Sequence, residues 1–148
     1  MLSQTAEYAL RAIVTLAQAA GGGPMTAQEI ARRSKVPLDY LLKVLNSLAR
    51  AGLVKAQRGR TGGFQAARPA DRISVLDVVN AVDPLRRIHS CPLGLPAHAH
   101  RLCPLHRKLD DAVRTVEEAF AASTIASLTE EPLVPHCETA SHANLVVI

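Results

Sequence analysis

The sequence of 148 residues contains no tryptophan, and aromatic residues make up only 3% of it. So few aromatic side chains do not provide the stacking surfaces on which proteins bind single-stranded nucleic acid. The chain also lacks any run of about 18 to 20 apolar residues, so we expect no membrane-spanning helix. Its amino-terminal segment has no basic stretch ahead of an apolar one. We therefore expect no signal peptide and a cytoplasmic protein.

Short motifs of the common enzyme classes are missing as well. The sequence contains no GxSxG nucleophile motif, no phosphate-binding P-loop, no HExxH metal motif and no glycine fingerprint of a dinucleotide site. We therefore predict that the protein is not an enzyme. Hydrophobic residues account for 48% of the chain and charged residues for 20%, which is enough apolar material for a packed core.

Positive charge is concentrated in the first half of the chain. Residues 1–68 contain ten Lys and Arg and three acidic residues, a net charge of +7, whereas residues 69–148 carry a net charge of −3. This asymmetry is typical of a nucleic-acid-binding region joined to a segment that senses a signal or binds a partner. Ordinary solvated surface charge is the alternative interpretation.

Three stretches with helical spacing are predicted before residue 53. The first ends at the glycines that follow residue 20. The second begins at Thr26, where the Thr26 hydroxyl and the Glu29 carboxylate form the pattern of a capping box, and runs to about Arg33. The third begins near Pro37 and ends before Gly52, with an apolar stripe formed by Leu41, Val44, Leu45 and Leu48.

A small hairpin follows these helices. Residues 53–57 and 64–67 are predicted to be strands, joined by a glycine-rich turn with two arginines at 58–63. Helix, helix, turn, helix and hairpin is the order of a winged helix-turn-helix. We therefore predict a mostly α fold with a small β-hairpin wing, and a DNA-binding domain over residues 1–70.

The second half is predicted to have three parts. Residues 71–101 form a connecting helix, which Ser74 caps, and a loop that holds a cofactor or senses a signal. Residues 102–128 form one long helix whose heptad-like apolar stripe favours pairing with a second chain. Packing of this helix against its own domain is the alternative. Residues 129–148 show no periodicity and are predicted to be a flexible tail.

The expected nucleic-acid contacts follow from the winged-helix prediction. Its third helix enters the major groove, the start of the second helix favours a phosphate, and arginines of the wing suit a narrow minor groove. If the long helix pairs two chains, the target is palindromic double-stranded DNA. The candidate DNA-binding residues are Thr26, Gln28, Tyr40, Lys43, Arg58, Arg60 and Thr61.

Cysteine and histidine occur only in the second half of the chain. Cys91, Cys103 and His106 lie in one stretch, and the last two are spaced to share a face at the start of a helix. In a cytosolic chain such clustering indicates metal or redox chemistry more often than a disulfide. An iron–sulfur cluster and zinc both accept these donors, and unligated residues in a loop remain the alternative.

Several segments together resemble the IscR/NsrR (Rrf) family of winged-helix transcriptional regulators, over residues 1–128. The resemblance is carried by residues 3–11, by Ile30-Ala31, by 37–41, by Leu45, Leu48 and 51–54, by the hairpin 58–64 and by 74–79. It implies a homodimeric repressor whose DNA affinity is controlled by an iron–sulfur cluster (2Fe–2S or 4Fe–4S) or a redox signal. The alternative is a cofactor-free regulator of the same family, controlled by a protein or small-molecule partner or by thiol oxidation.

The same resemblance suggests a ligand set. Members of the family that bind a cluster typically have three cysteines six positions apart, which correspond here to Cys91, position 97 and Cys103; position 97 is Ala97. His98 is adjacent to it. His106 matches a histidine that some members use, and Glu7 matches an acidic ligand that others draw from the partner chain. We therefore predict Cys91, Cys103, His106 and Glu7 as metal ligands.

Overall fold

The computed structural model describes residues 2–92, 94 and 101–130. Within them the fold is mostly helical with one antiparallel hairpin, as predicted. The helices and strands follow in the order α1 Gln4–Gln18, α2 Ala27–Ser34, α3 Leu38–Arg50, β1 Val54–Gln57, β2 Gly63–Ala66, α4 Val75–Val82, α5 Pro104–Ala122 and α6 Ile125–Thr129, with one 3-10 turn at Ala70–Arg72 between β2 and α4.

Helix α1 lies at the centre of the structure and packs against α2, α3, α4 and α6. Small residues on α1, such as Ala9 and Ala12, are completely buried and allow the neighbouring helices to approach closely. The predicted stripe of α3 is buried throughout. The largest side chains of the core are Ile13, Ile30, Leu41, Leu45, Leu48, Leu53, Ile73 and Ile125.

Side-chain caps set the starts of α2 and α4. Ser74 and Asp77 form a complete capping box at α4. At α2 the Thr26 hydroxyl accepts a hydrogen bond from the Glu29 N–H at 3.2 Å, as predicted, but the Glu29 carboxylate accepts from Arg32 and Arg33. The second half of the expected capping box is wrong because these arginines, one turn further along, compete for the carboxylate.

The two strands of the wing pair in a register that joins Val54 to Ala66 and Gln57 to Gly63. Strand β1 begins one residue later than predicted, and β2 begins and ends one residue earlier than predicted. The wing is attached to the start of α2 by a bridge in which Met25 and Phe64 exchange two backbone hydrogen bonds of 2.8 Å. A Cβ on Gly63 would lie 2.5 Å from the Met25 carbonyl oxygen, so this close approach requires glycine.

The single helix expected over 102–128 is wrong. Helix α5 ends at Ala122, Ser123 is extended, and a separate helix α6 follows. The chain turns there because the backbone of 123–125 pairs with that of 73–75, through the bonds Val75 N–H to Ser123 O (2.9 Å) and Ile125 N–H to Ile73 O (2.8 Å). This turn buries Ile125 completely against the core. No helix in the described ranges is both long and apolar enough to cross a membrane.

Candidate nucleic-acid interface and metal centre

Helix α3 presents a solvent-exposed face opposite its buried stripe. Lys43 lies on this exposed face, where the sequence placed it. Leu42 and Asn46 are exposed beside it, and Leu42 keeps 40% of its surface accessible. Sequence reasoning missed these two residues, although Asn46 lies one helical turn from Lys43 and Leu42 lies one turn before Asn46. An exposed leucine next to a lysine offers both an apolar contact and a hydrogen-bond donor to a ligand in front of α3.

Tyr40, a predicted DNA-binding residue, is half-buried in the structure. Its hydroxyl lies 2.7 Å from Thr5 Oγ1, and its ring meets that of Tyr8 edge to face, with the ring centroids 5.4 Å apart. These contacts join α3 to α1. Tyr40 therefore has an intramolecular partner in addition to any role at a nucleic-acid surface.

The start of α2 and the wing are brought together by the bridge between Met25 and Phe64. Thr26 and Gln28 are exposed on one side of this bridge. At the tip of the wing Arg58, Arg60 and Thr61 are also exposed. The bridge thus joins the two segments that carry these candidate DNA-binding residues, the start of α2 and the wing.

Positive and negative charges are also paired on α2. Hydrogen bonds from Arg32 and then Arg33 lower the pKa of Glu29 from 4.5 to about 2. Glu29 is thus held ionised near the amino-terminal end of α2, where the helix dipole favours a negative charge.

Cys91, Cys103 and His106 converge at the start of α5. His106 Nδ1 lies 3.1 Å from Cys103 Sγ and 3.6 Å from Cys91 Sγ, and the three donor atoms all lie within 4.8 Å of one another. Cys103 is the N-cap residue of α5 and is 8% exposed. Two sulfurs and an imidazole nitrogen are donors that zinc and iron–sulfur clusters both accept, so the residues present fit either group.

The other predicted ligand positions lie outside this group. Glu7 is exposed on α1 and pairs with Arg11 of the same helix. Arg11 in turn lies over the ring of Tyr8, at 5.9 Å from its centroid. Ala97 and His98 fall outside the described residues. Within the described part of a single chain, the group therefore has three members.

Arg87 and Asp110 form an ion pair that sequence reasoning missed. Arg87 donates two hydrogen bonds to the Asp110 carboxylate, at 2.7 and 2.6 Å, and the Ile88 N–H donates a third at 2.8 Å. The Arg87 guanidinium and then the Ile88 N–H hold the pKa of Asp110 well below its usual range. The two residues are 23 positions apart, and no local pattern in the sequence relates them.

An apolar face of α5 is open to solvent. Leu105 and Leu109 are 62% and 48% exposed, and Ala112 and Ala119 on the same stripe are exposed as well. Side chains of this size are costly to leave in water on an otherwise polar helix. The opposite face of α5 packs on α4.

Known proteins share both the sequence pattern and the fold. Residues 2–131 match the model of the Rrf2 family, which is described as an iron-dependent transcriptional regulator. Rv1287 of Mycobacterium tuberculosis (strain ATCC 25618 / H37Rv), named as an HTH-type transcriptional regulator, is 36% identical over 129 residues, which cover 84% of this chain and 80% of that protein.

Solved structures give the same result. IscR of T. potens superposes with a TM-score of 0.70 at 26% identity, covering 97% of this chain and 93% of that one. CymR of Staphylococcus aureus, solved also in an oxidized form, has a TM-score of 0.68 at 26% identity and covers 87% of this chain and 98% of that one. The family and the relative Rv1287 are both named as transcriptional regulators and not as enzymes. The chain described here, with its winged helix and its long fifth helix, therefore belongs to the Rrf2 family of transcriptional regulators.

Proposed function

We propose that this chain is a homodimeric repressor that binds a palindromic operator, and that a metal group held by Cys91, Cys103 and His106 controls its affinity for DNA. The observation that carries the proposal is the convergence of three soft donors, from two separate segments, at the start of α5. Membership of a family described as iron-dependent supports iron over zinc.

In the proposed complex α3 lies in the major groove. Lys43 donates to a phosphate or to guanine, and exposed Leu42 contacts a thymine methyl group. Thr26 and Gln28 approach a phosphate at the start of α2, while Arg58, Arg60 and Thr61 of the wing reach the adjacent minor groove. The positive charge of residues 1–68 supports this placement.

The exposed stripe of α5 is proposed to pack against the same stripe of a second copy. Two-fold pairing of this kind presents the α3 helix of each chain, the proposed DNA-reading helix, to one half of a palindrome. The proposal is supported by the family, whose members are typically dimeric, and by the exposure of Leu105 and Leu109.

A dimer also offers a source for a fourth ligand. We propose that Glu7 of the partner subunit completes the set formed by Cys91, Cys103 and His106, with His98 as the alternative donor. A bound cluster or ion would supply soft Lewis acidity and, for iron, a redox-sensitive charge.

Recruitment of Glu7 as a ligand would alter contacts that lead to the reading helix. Glu7 now pairs with Arg11, Arg11 lies over Tyr8, and Tyr8 meets Tyr40 of α3. Releasing Arg11 from Glu7 changes the surroundings of Tyr8 and so biases the position of α3. A difference in DNA affinity between the two states of about 1–3 kcal/mol is the size that such coupling usually has.

The test begins with anaerobic purification and a visible spectrum, together with iron and sulfide analysis. Stoichiometric iron and sulfide, lost in Cys91→Ala and Cys103→Ala, are expected. Operator fragments selected from genomic DNA should then bind the two variants with altered affinity. Cys137→Ser is the matched control, since Cys137, the third cysteine of the sequence, is not among the predicted ligands. Unchanged operator affinity in both ligand variants would contradict control by this site.

Thiol oxidation is a second candidate signal, because the sulfurs of Cys91 and Cys103 already lie within 4.8 Å of each other. The solved oxidized form of the similar S. aureus CymR supports considering it. Here the two thiols would lose two hydrogens to a disulfide oxidant and form one intrachain disulfide. Metal-free protein whose DNA affinity changes reversibly with a glutathione redox buffer would favour this signal over a cluster.

A further inference from the structure

We infer that Arg87 and Asp110 are positioning residues, whose ion pair holds the segment that carries Cys91 against α5 so that its sulfur lies beside Cys103 and His106. Only the effect on metal binding rests on the proposed function, namely that the three residues hold a metal.

Asp110 is the anchor of this contact. Its carboxylate accepts two hydrogen bonds from the Arg87 guanidinium and one from the Ile88 N–H, so it fixes both a side chain and the backbone of the segment. Arg87 also donates to Glu117, about two helical turns further along α5, at 3.4 Å. The side chains of Asp110 and Arg87 are only 14% and 29% exposed, so the pair is shielded from solvent more than an ordinary surface ion pair.

The geometry relates this anchor directly to the donor group. His106 and Asp110 are four residues apart and share one face of α5, with a rise of about 6 Å between them. The segment runs antiparallel to the helix, since Arg87 and Ile88 meet Asp110 while Cys91 meets His106. Three residues of chain from Ile88 span at most about 10 Å, which is enough to bring Cys91 to His106 and leaves little slack.

The segment has little secondary structure to hold it otherwise. Residues 84–92 form no helix or strand. Among the side chains that the structure describes, two accept hydrogen bonds from this backbone: Asn80 from the Leu85 N–H at 3.2 Å and Asp110 from the Ile88 N–H at 2.8 Å. Of these two contacts, the one to Asp110 lies nearer to Cys91 along the chain. Loss of the Asp110 contact would therefore let Cys91 move away from the two donors that α5 holds in place.

The test compares Asp110→Asn with Asp111→Asn, in full-length protein carrying Cys137→Ser. Asp111 is the matched control because it lies on the same helix, in a more exposed pair with Arg114. The first readout is the affinity for Co²⁺. It is measured under anaerobic conditions from the thiolate-to-Co²⁺ charge-transfer absorption. We expect Asp110→Asn to weaken Co²⁺ binding about 10- to 100-fold and Asp111→Asn to leave it unchanged.

The second readout needs no metal. In glutathione buffers the two protein thiols and one glutathione disulfide exchange to give the Cys91–Cys103 disulfide and two reduced glutathione molecules. The equilibrium constant reports how closely the protein holds the two sulfurs together. We expect it to fall about tenfold in Asp110→Asn, whereas a general loss of stability in a chain that remains folded would leave it unchanged.

The outcomes separate the inference from the proposed function. If the parent protein does not bind Co²⁺ but the disulfide equilibrium falls in Asp110→Asn, the metal site is wrong and the positioning role stands. If both readouts are the same in Asp110→Asn and Asp111→Asn, the positioning role is wrong. Should circular dichroism show that Asp110→Asn is unfolded, Arg87→Lys replaces it. Lysine keeps the positive charge but cannot make the bidentate contact with the Asp110 carboxylate. An unchanged disulfide equilibrium in Arg87→Lys would overturn the inference.

Discussion

Tyr40, at the start of α3, is half-buried and contacts side chains of α1 from a position that also predicts a surface role. The Tyr40 hydroxyl forms a hydrogen bond with the Thr5 hydroxyl, and its ring packs against that of Tyr8. The helical spacing of α3 predicted which residues are buried, but it did not identify the partner of a half-buried polar group. That partner lies 35 positions away, on another helix.

Replacement of Tyr40 by Phe should therefore lower the free energy of unfolding by about 1 kcal/mol, the usual net value of such a hydrogen bond. Thr5→Val removes the same bond from its other side and should cost a similar amount. Because the two changes break one contact, their effects in the double variant should not add. Urea unfolding measures all three. DNA affinity that falls in Tyr40→Phe but not in Thr5→Val would assign the hydroxyl a DNA contact as well.

Glu29 provides a prediction about pH. Its pKa is lowered to about 2 in the folded chain, so the ionised carboxylate stabilises the fold at neutral pH. This contribution is complete above the ordinary pKa of 4.5 and is lost as the pH falls from there towards about 2. The difference in melting temperature between the parent and Glu29→Gln should therefore shrink over that range. Asp39→Asn, an exposed acid at the start of α3, is the control, and an equal pH-dependent change there would contradict the assignment.

At the scale of elements, the fifth helix differs most from its prediction. Its apolar stripe was correctly placed, but the helix stops at Ala122, where the chain pairs with the start of α4 and buries Ile125. The stripe is left exposed on α5. The local pattern identified an amphipathic helix, whereas its end was set by backbone groups some 50 residues earlier in the chain.

Leu109→Arg should convert the proposed dimer to a monomer at micromolar concentration. A buried arginine in the centre of the proposed interface would have no partner, and leaving a charge unpaired there costs several kcal/mol. Sedimentation velocity measures the change. Lys108→Ala, at the adjacent exposed position, should leave the oligomeric state as it is. A dimer that survives Leu109→Arg would place the interface elsewhere.

At the scale of the whole molecule, the distribution of charge matters more than the net charge of +4. The basic half of the sequence folds into the winged helix, and the acidic half contributes α5 and its ion pairs with Arg87. The family assignment gives this division a functional meaning, since the regulators it contains bind DNA.

DNA affinity should accordingly fall steeply as salt concentration rises, because Lys and Arg displace counterions from phosphates. If Lys43 contacts one phosphate, Lys43→Gln should reduce the slope of log affinity against log salt concentration by about 0.9. Lys108→Gln makes the same change of charge on α5 and should leave the slope unchanged. Filter binding over a series of salt concentrations measures both. An unaltered slope with weaker binding to one sequence only would indicate a base contact instead.

Much of the candidate site could be predicted from sequence, since Lys43, Cys91, Cys103 and His106 were all identified as candidates from residue type and spacing. The structure brings the last three together, whereas Glu7 is outside this group and pairs with Arg11 on α1. Leu42 and Asn46 lay within reach of the same reasoning. Arg87 and Asp110 did not, because an ion pair across 23 residues depends on how the loop folds back on α5.

The sequence by itself determined the helices α1 to α4, the wing and the family to which the chain belongs. Those features depend on helical spacing, caps, glycines and turn residues, which act between residues a few positions apart. Only the tertiary structure decided where α5 ends, which partner Tyr40 takes and how Cys91 reaches His106. Each of these depends on contacts between segments far apart in the chain, whose free energy appears only once the core has brought them together.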